Sequence, residues 1–193
     1  WWPMQLVCLA MAVVILLCLR LKSGRGGRLI AILLAASWAW VGWAFLHLRL
    51  APIHWIADWY AVAFVLQALL FFVSGILPRG LEMKTGNSMR VYIGVFVLLG
   101  ALLAMPVTAL LTGRDWMQAE LFAMTPDATV LATLGLLLLT KGHVAIWLAM
   151  IPVAWSFVTG ATLWVLEAPG ALILPASAIL TVALMLMPVN RRG

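Results

Sequence analysis

Charged residues are scarce in this 193-residue sequence, in which Asp, Glu, Lys and Arg together account for only 9% of the positions. Hydrophobic residues account for 66%, and the mean hydropathy is +1.13. Soluble globular domains contain about 25% charged and roughly 45–50% apolar residues. The composition excludes an ordinary soluble domain, and it predicts that residues 1–193 form a single integral membrane domain.

Cysteines are also few, and the two that occur, Cys8 and Cys18, lie in the same apolar run. Ten residues of one helix separate them by more than a disulfide can bridge. The sequence also lacks the HExxH and CxxC spacings of metal sites, a nucleophile elbow and a glycine-rich phosphate loop. These absences favour a protein that is not an enzyme and needs no cofactor, although they leave the question of catalysis open.

Seven apolar runs cover most of the chain, and we predict that each forms a helix of an all-α, polytopic transmembrane bundle. A helix needs about 20 apolar residues to cross the hydrocarbon core of a bilayer. The runs comprise residues 2–19, 29–48, 57–77, 91–111, 126–140, 143–166 and 171–187. They predict about seven spans, and prolines occur within the fourth to the seventh run.

The fifth run has a well-marked start. Thr125 supplies an N-cap hydroxyl, Pro126 suits the first helical position, and Asp127 suits the positive end of the helix dipole. The run stops before Lys141, so the fifteen residues from 126 to 140 span about 22 Å, which is less than the ~30 Å hydrocarbon core. We predict that this helix is short, or is buried among the others.

Lys and Arg are unevenly distributed between alternate loops, and this asymmetry predicts the orientation. Cytoplasmic loops of membrane proteins are enriched in basic residues. With the N-terminus outside, ten of the twelve basic residues lie in the cytoplasm, and five of the six acids lie outside. We therefore predict an N-out, C-in protein, and the same charges explain the net charge of +6 without a nucleic-acid partner.

No Asp, Glu, Lys or Arg lies near the middle of a predicted span, which argues against a pump or a proton-coupled transporter. The polar side chains at that depth are Gln67, Thr108, Thr133, Trp155, Ser156, Thr159 and Thr181. Such groups commonly hydrogen-bond between helices, and the alternative is that they line a site for a small neutral or lipophilic ligand. We expect Gln67 to bond with a hydroxyl, or with a carbonyl freed by Pro106 or Pro152.

The stretch from Ser37 to Tyr60 is the most distinctive part of the sequence. It holds five of the eleven Trp and two of the three His around a predicted turn between the second and third helices. Trp40, Trp43 and His47 recur at helical spacing, so they form one stripe that ends in an imidazole. A neighbouring stripe of small residues predicts close helix packing: Ala35, Ala39 and Gly42.

His54 and Asp58 follow this turn four residues apart, which would place a carboxylate beneath an imidazole on the third helix. His47 ends the preceding antiparallel helix at a similar depth. We predict that these three residues form one cluster. Two imidazoles and a carboxylate could ligate a divalent metal, and two imidazoles could ligate a haem iron. A structural, hydrogen-bonded cluster is the more common use of such residues, so neither group is expected.

Short motifs spread over nearly the whole chain carry a family resemblance. They are Trp2-Pro3, Ala51-Pro52-Ile53, Phe64-Val65-Leu66-Gln67, Thr125-Pro126, Gly135-Leu136-Leu137-Leu138 and Ile151-Pro152-Val153-Ala154-Trp155. In these the chain resembles an uncharacterised family of bacterial multi-pass membrane proteins, a domain of unknown function of the 6064 class. The resemblance implies a protein of the inner (plasma) membrane and no particular activity. In that family Cys-Pro-Thr-Thr commonly follows the Thr-Pro pair, and the departure at Asp127 argues against a redox or metal role there.

Three classes of function remain open. The leading one is a non-catalytic accessory or scaffold subunit that contacts the lipid bilayer and either other membrane subunits or a second copy of itself. The second is a permease or binding protein for a small neutral or lipophilic ligand, with Trp40, Trp43, His47, His54, Asp58, Gln67 and Trp155 as candidate binding residues. The third is a metal- or haem-dependent oxidoreductase that uses His47, His54 and Asp58.

Overall fold

The structure, a computed structural model, describes residues 2–20, 24–77, 81–83, 88–104 and 121–187. Apart from one isolated bridge between Met83 and Thr140, the regular secondary structure in these ranges is helical, so the all-α prediction is confirmed for them. The α-helices are α1 (Trp2–Arg20), α2 (Gly24–Trp40), α3 (Ala57–Ile76), α4 (Met89–Leu99), α5 (Pro126–Leu138), α6 (Val144–Val165) and α7 (Ile173–Leu186). Pro106 and Thr108 lie outside the described residues.

Two helices continue as π-helix, α2 through Val41–Leu50 and α4 through Gly100–Ala104. Counted with its extension, α2 runs from Gly24 to Leu50 and has 27 residues. Together with α3, of 20 residues, and α6, of 22 residues, it is long and apolar enough to cross a membrane. The other described helices are apolar but shorter.

The short fifth helix, α5, lies at the centre of the fold. It has 13 residues, and each of them except Asp127 is buried. It packs against α4, α6 and α7, and it also contacts α2. At 1.5 Å per residue it spans about 20 Å. The prediction of a short or buried helix is therefore confirmed, and both parts of it hold.

Close packing around α5 depends on two glycines that face each other across α4 and α5. A Cβ atom on Gly135 would lie 2.7 Å from the backbone nitrogen of Leu98 and 2.9 Å from the carbonyl oxygen of Gly94. A Cβ on Gly94 would meet the carbonyl oxygen of Gly135 at 2.9 Å. No larger side chain fits in either place, so the two helix backbones lie close together. Small residues permit the same close approach at helix interfaces in membranes.

Helices α2 and α3 form a second tight interface, with a fully buried Trp38 at its centre. The Trp38 ring lies 4.4 Å from that of Phe64, and its Nε1 donates to Oγ1 of Thr133 on α5 at 3.0 Å. Gly42 lies in contact with Phe64, as the small-residue stripe predicts. Ala39 is exposed, so the prediction that it belongs to the packed small-residue stripe is wrong. Trp38, one position earlier, lies on the packed face instead.

Candidate functional site

Four segments converge on a cavity at the end of the bundle where the π-helical extension of α2 ends and where α3 and α5 begin. Its volume is about 500 Å³, within the ~300–1,000 Å³ range of ligand pockets. The lining combines apolar, aromatic and polar side chains from all four segments: Phe45, Leu50, His54, Tyr60, Thr125, Pro126, Asp127, Trp155, Val158, Thr159, Thr162 and Leu163. We refer to this space as the α3–α5–α6 cavity.

A second depression, of about 530 Å³, lies at the turn between α6 and α7. Its lining comes from one short stretch of chain, residues 164–173. Apart from Trp164 in the last turn of α6 and Ile173 at the start of α7, its lining residues belong to the turn itself. The α3–α5–α6 cavity is therefore the stronger candidate site.

The carboxylate of Asp127 is the most polar group in the cavity wall. Its Oδ1 accepts two hydrogen bonds from α6, one from Nε1 of Trp155 at 2.8 Å and one from Oγ1 of Thr159 at 3.0 Å. Trp155 and Thr159 are four residues apart, so both point from one face of α6 towards the first turn of α5. The three side chains hold two helices together and border the cavity at the same time.

The electrostatic setting of Asp127 combines stabilising and destabilising contributions. Its position in the first turn of α5 favours a negative charge, because the helix dipole is positive there. Partial burial opposes the charge, and the two hydrogen bonds offset part of that cost. Among the described residues, Oδ2 accepts no hydrogen bond and no cationic side chain pairs with the carboxylate.

Two aromatic rings of α3 fix the orientation of the Trp155 ring. Tyr60 meets it at 5.3 Å between ring centroids and 90° between planes, and Phe64 meets it at 4.9 Å and 80°. Edge-to-face contacts of this kind are favourable because the positive ring edge faces the negative ring face. Since Phe64 also contacts Trp38, the cavity wall is continuous with the buried core.

The predicted cluster of His47, His54 and Asp58 is only partly assembled. Nδ1 of His47 donates to Oδ1 of Asp58 at 2.7 Å, and the Trp43 ring lies 4.9 Å from the imidazole. His54 instead lines the α3–α5–α6 cavity. It precedes α3, which begins at Ala57, so the helical spacing assumed for His54 and Asp58 does not apply. In the described part of the chain, no three His, Cys, Asp or Glu side chains lie close enough together to hold a metal ion.

Gln67 is fully buried between α3 and α6, outside the cavity lining. Its Nε2 donates to the carbonyl oxygen of Leu148 at 2.9 Å. That carbonyl lies four residues before Pro152, which has no N–H to offer it. The predicted bond of Gln67 to a carbonyl freed by proline is confirmed. Of the other candidates, Trp155 lines the cavity, whereas Trp40 is half-buried and does not.

Asp127 and Tyr60 were not among the residues predicted to bind a ligand, and Thr159 was named only among the polar side chains at mid-depth that could line a ligand site. Asp127 was interpreted as a favourable residue for a helix start, which it is. The available signal was the pair Trp155 and Thr159, two hydrogen-bond donors one helical turn apart on α6. Such a pair can share one acceptor on a neighbouring helix.

Comparison with known proteins gives one match, to the sequence model of a family described as "Family of unknown function (DUF6064)", over residues 1–192. No curated protein and no solved structure matches the chain significantly. The match agrees with the resemblance drawn from the short motifs.

Proposed function

The chain belongs to the DUF6064 family of unknown function, and we propose that it is a multi-pass inner-membrane protein that binds a small molecule in the α3–α5–α6 cavity. The observation that carries this proposal is the cavity itself. Its walls are mostly apolar and aromatic, with a few polar groups that converge on one side, Asp127 and Thr159 among them. That combination is typical of small-molecule sites.

The proposed topology has seven spans with the N-terminus outside. Seven apolar helices in the described residues and the distribution of Lys and Arg support it. In this orientation the turn between α2 and α3 and the start of α5 lie at the outer surface. The cavity then opens towards the outer leaflet, so a ligand would reach it from outside the cell or from the membrane.

An accessory or scaffold subunit remains the second candidate. Exposed tryptophans around the same end of the bundle, Trp43, Trp55 and Trp59, suit contact with lipid headgroups or with a partner helix. Lipid alone accounts for these residues, whereas it does not account for a carboxylate turned into a cavity between helices. We therefore place ligand binding first. A metal- or haem-dependent oxidoreductase has less support, because His54 lies apart from the His47–Asp58 pair.

Native mass spectrometry of the protein released from nanodiscs tests ligand binding. Val158→Trp places an indole in the cavity, and Phe157→Trp places one on the exposed side of the same helix as the matched control. We expect the unaltered protein and the control to carry a bound small molecule, and Val158→Trp to have lost it. The thermal unfolding midpoint of Val158→Trp should be unchanged. Equal occupancy in Val158→Trp, or an unaltered protein that carries no adduct, would contradict the proposal.

A further inference from the structure

We infer that the α3–α5–α6 cavity selects molecules that join a protonated amine to an apolar or aromatic body. This inference rests on the proposed function and adds the chemical class of the ligand to it. The relevant features are Oδ2 of Asp127, which has no partner among the described residues, the negative charge of the ionised carboxylate, and the aromatic walls beside it.

The hydrogen-bonding pattern of Asp127 determines what a ligand must offer. Both protein donors, Trp155 and Thr159, bond to Oδ1, which leaves Oδ2 without a protein partner in the described residues. An ionised carboxylate only accepts hydrogen bonds. In that ionised state, the ligand group that meets Oδ2 is a donor. An ammonium group has up to three N–H donors and no acceptor, so it satisfies that oxygen without placing another acceptor beside it.

The charge of Asp127 favours a cation over a neutral donor. The carboxylate is partly buried among apolar side chains, and no described Lys, Arg or His forms an ion pair with it. Attraction between opposite charges is several-fold stronger in such surroundings than in water. A carboxylate ligand would be repelled by the same charge. The site therefore distinguishes between cationic, neutral and anionic molecules of one shape.

The remaining walls suit the rest of such a molecule. The rings of Tyr60 and Trp155 border the cavity, and aromatic faces attract cations within about 6 Å. Phe45, Leu50 and Leu163 provide apolar surface for a hydrocarbon or aryl group. His54 also lines the cavity, and a neutral imidazole supplies one hydrogen-bond acceptor.

A divalent metal ion fits the cavity less well than an amine. Calcium takes six to eight oxygen ligands, several of them usually carboxylates, and magnesium takes six, with one or two carboxylates among them. Asp127 is the one carboxylate among the described residues of the lining, and the described residues contain no group of three metal-ligating side chains. A carboxylate beside aromatic rings can instead bind an organic ammonium group through charge-assisted hydrogen bonds and cation–π contacts.

The test compares three soluble probes of nearly equal size on the full-length protein in detergent: 2-phenylethylamine, 2-phenylethanol and 3-phenylpropanoate. Binding is followed by isothermal titration calorimetry and by the fluorescence of the tryptophans. We expect the amine to bind about tenfold or more tighter than the alcohol, because both can donate a hydrogen bond to the carboxylate but only the ammonium adds attraction between opposite charges in partly buried surroundings. The carboxylate probe should bind most weakly.

Asp127→Asn keeps the shape of the side chain and removes its charge. It should weaken binding of the amine by about tenfold or more and leave binding of the alcohol within about twofold. Asp58→Asn is the matched control, because Asp58 is exposed, pairs with His47 and does not line the cavity. It should change neither affinity. The comparison of probes on the unaltered protein does not depend on whether Asp127→Asn folds.

The outcomes separate this inference from the proposed function. Equal binding of the amine and the alcohol, with no effect of Asp127→Asn, would overturn the amine preference and leave a cavity that binds small molecules. If none of the three probes binds to the unaltered protein, the amine preference is contradicted, and the native mass spectrometry of the unaltered protein and Val158→Trp decides the proposed function separately.

Discussion

Nε2 of Gln67 on α3 donates a hydrogen bond to the carbonyl oxygen of Leu148 on α6, 2.9 Å away. In a regular helix this carbonyl would accept from the N–H of residue 152, but that residue is proline. The carbonyl group that Pro152 leaves without a partner in α6 thus forms a specific hydrogen bond with α3. Gln67 also carries a cost, because its Oε1 is buried without a partner among the described residues.

Replacing Gln67 with leucine should destabilise the protein by roughly 1 kcal/mol, the usual value of a hydrogen bond between membrane helices. The substitution leaves the Leu148 carbonyl without a partner, although it also removes the unsatisfied Oε1. The thermal unfolding midpoint in detergent measures the effect.

Pro152→Ala is the control for this mechanism. It restores an N–H that can bond to the Leu148 carbonyl, so Gln67→Leu should cost less in that background. A coupling of about 1 kcal/mol between the two substitutions is expected, since both act on one carbonyl group. Additive effects would show that Gln67 stabilises the bundle in some other way.

Gly135→Ala should destabilise the packing of α4 against α5. The new methyl group would lie 2.7 Å from a backbone nitrogen of α4, which cannot rotate away as a side chain can. Overpacking of this kind costs about 1–3 kcal/mol. Gly100→Ala is the matched control because no described residue lies within 4 Å of its added methyl group, so it should be neutral or slightly stabilising. Equal melting temperatures for the two variants would refute the close approach.

Trp155→Phe should loosen the contact between α5 and α6. The phenyl ring keeps most of the aromatic packing with Tyr60, but it has no N–H to donate to Asp127. We expect a loss of roughly 1 kcal/mol in stability. Trp164→Phe, on the same helix at a site that is 65% exposed, should leave the unfolding midpoint unchanged. A similar loss in both variants would count against a specific bond to Asp127.

Cysteine labelling tests the proposed orientation. In a background of Cys8→Ala and Cys18→Ala, a cysteine at Ile53, which is 82% exposed, should react with a membrane-impermeant maleimide in intact cells. A cysteine at His143, exposed before α6, should react only after the membrane is permeabilised. The reverse pattern would invert the topology and turn the α3–α5–α6 cavity towards the cytoplasm.

The parts of the fold that follow from short-range pattern could be predicted. Hydrophobic runs long enough to cross a membrane indicate helices, and the Thr125–Pro126 pair indicates the start of α5. Both signals depend only on residues within the helix concerned. The partner of Gln67 was also within reach, since a buried amide needs a hydrogen bond and Pro152 frees a carbonyl. That contact required only that α3 and α6 be neighbours.

The cavity could not be predicted in the same way. Because α3 begins at Ala57, His54 lies in the turn before it, where the i, i+4 relationship of a helix does not hold. His47, and not His54, therefore meets Asp58. No sequence pattern predicted the ten-residue π-helix that extends α2. Such details depend on how neighbouring helices pack, and no periodicity within one helix encodes them.

The sequence by itself determined the helical class, the apolar surface and the central, short fifth helix, because composition, run length and capping residues act locally along the chain. The tertiary structure decided which polar groups meet. Asp127 is a favourable first-turn acid in any isolated helix. It becomes the polar wall of a cavity only because α6 places Trp155 and Thr159 against the start of α5. The geometry of that meeting depends on packing between helices, which is a property of the whole bundle.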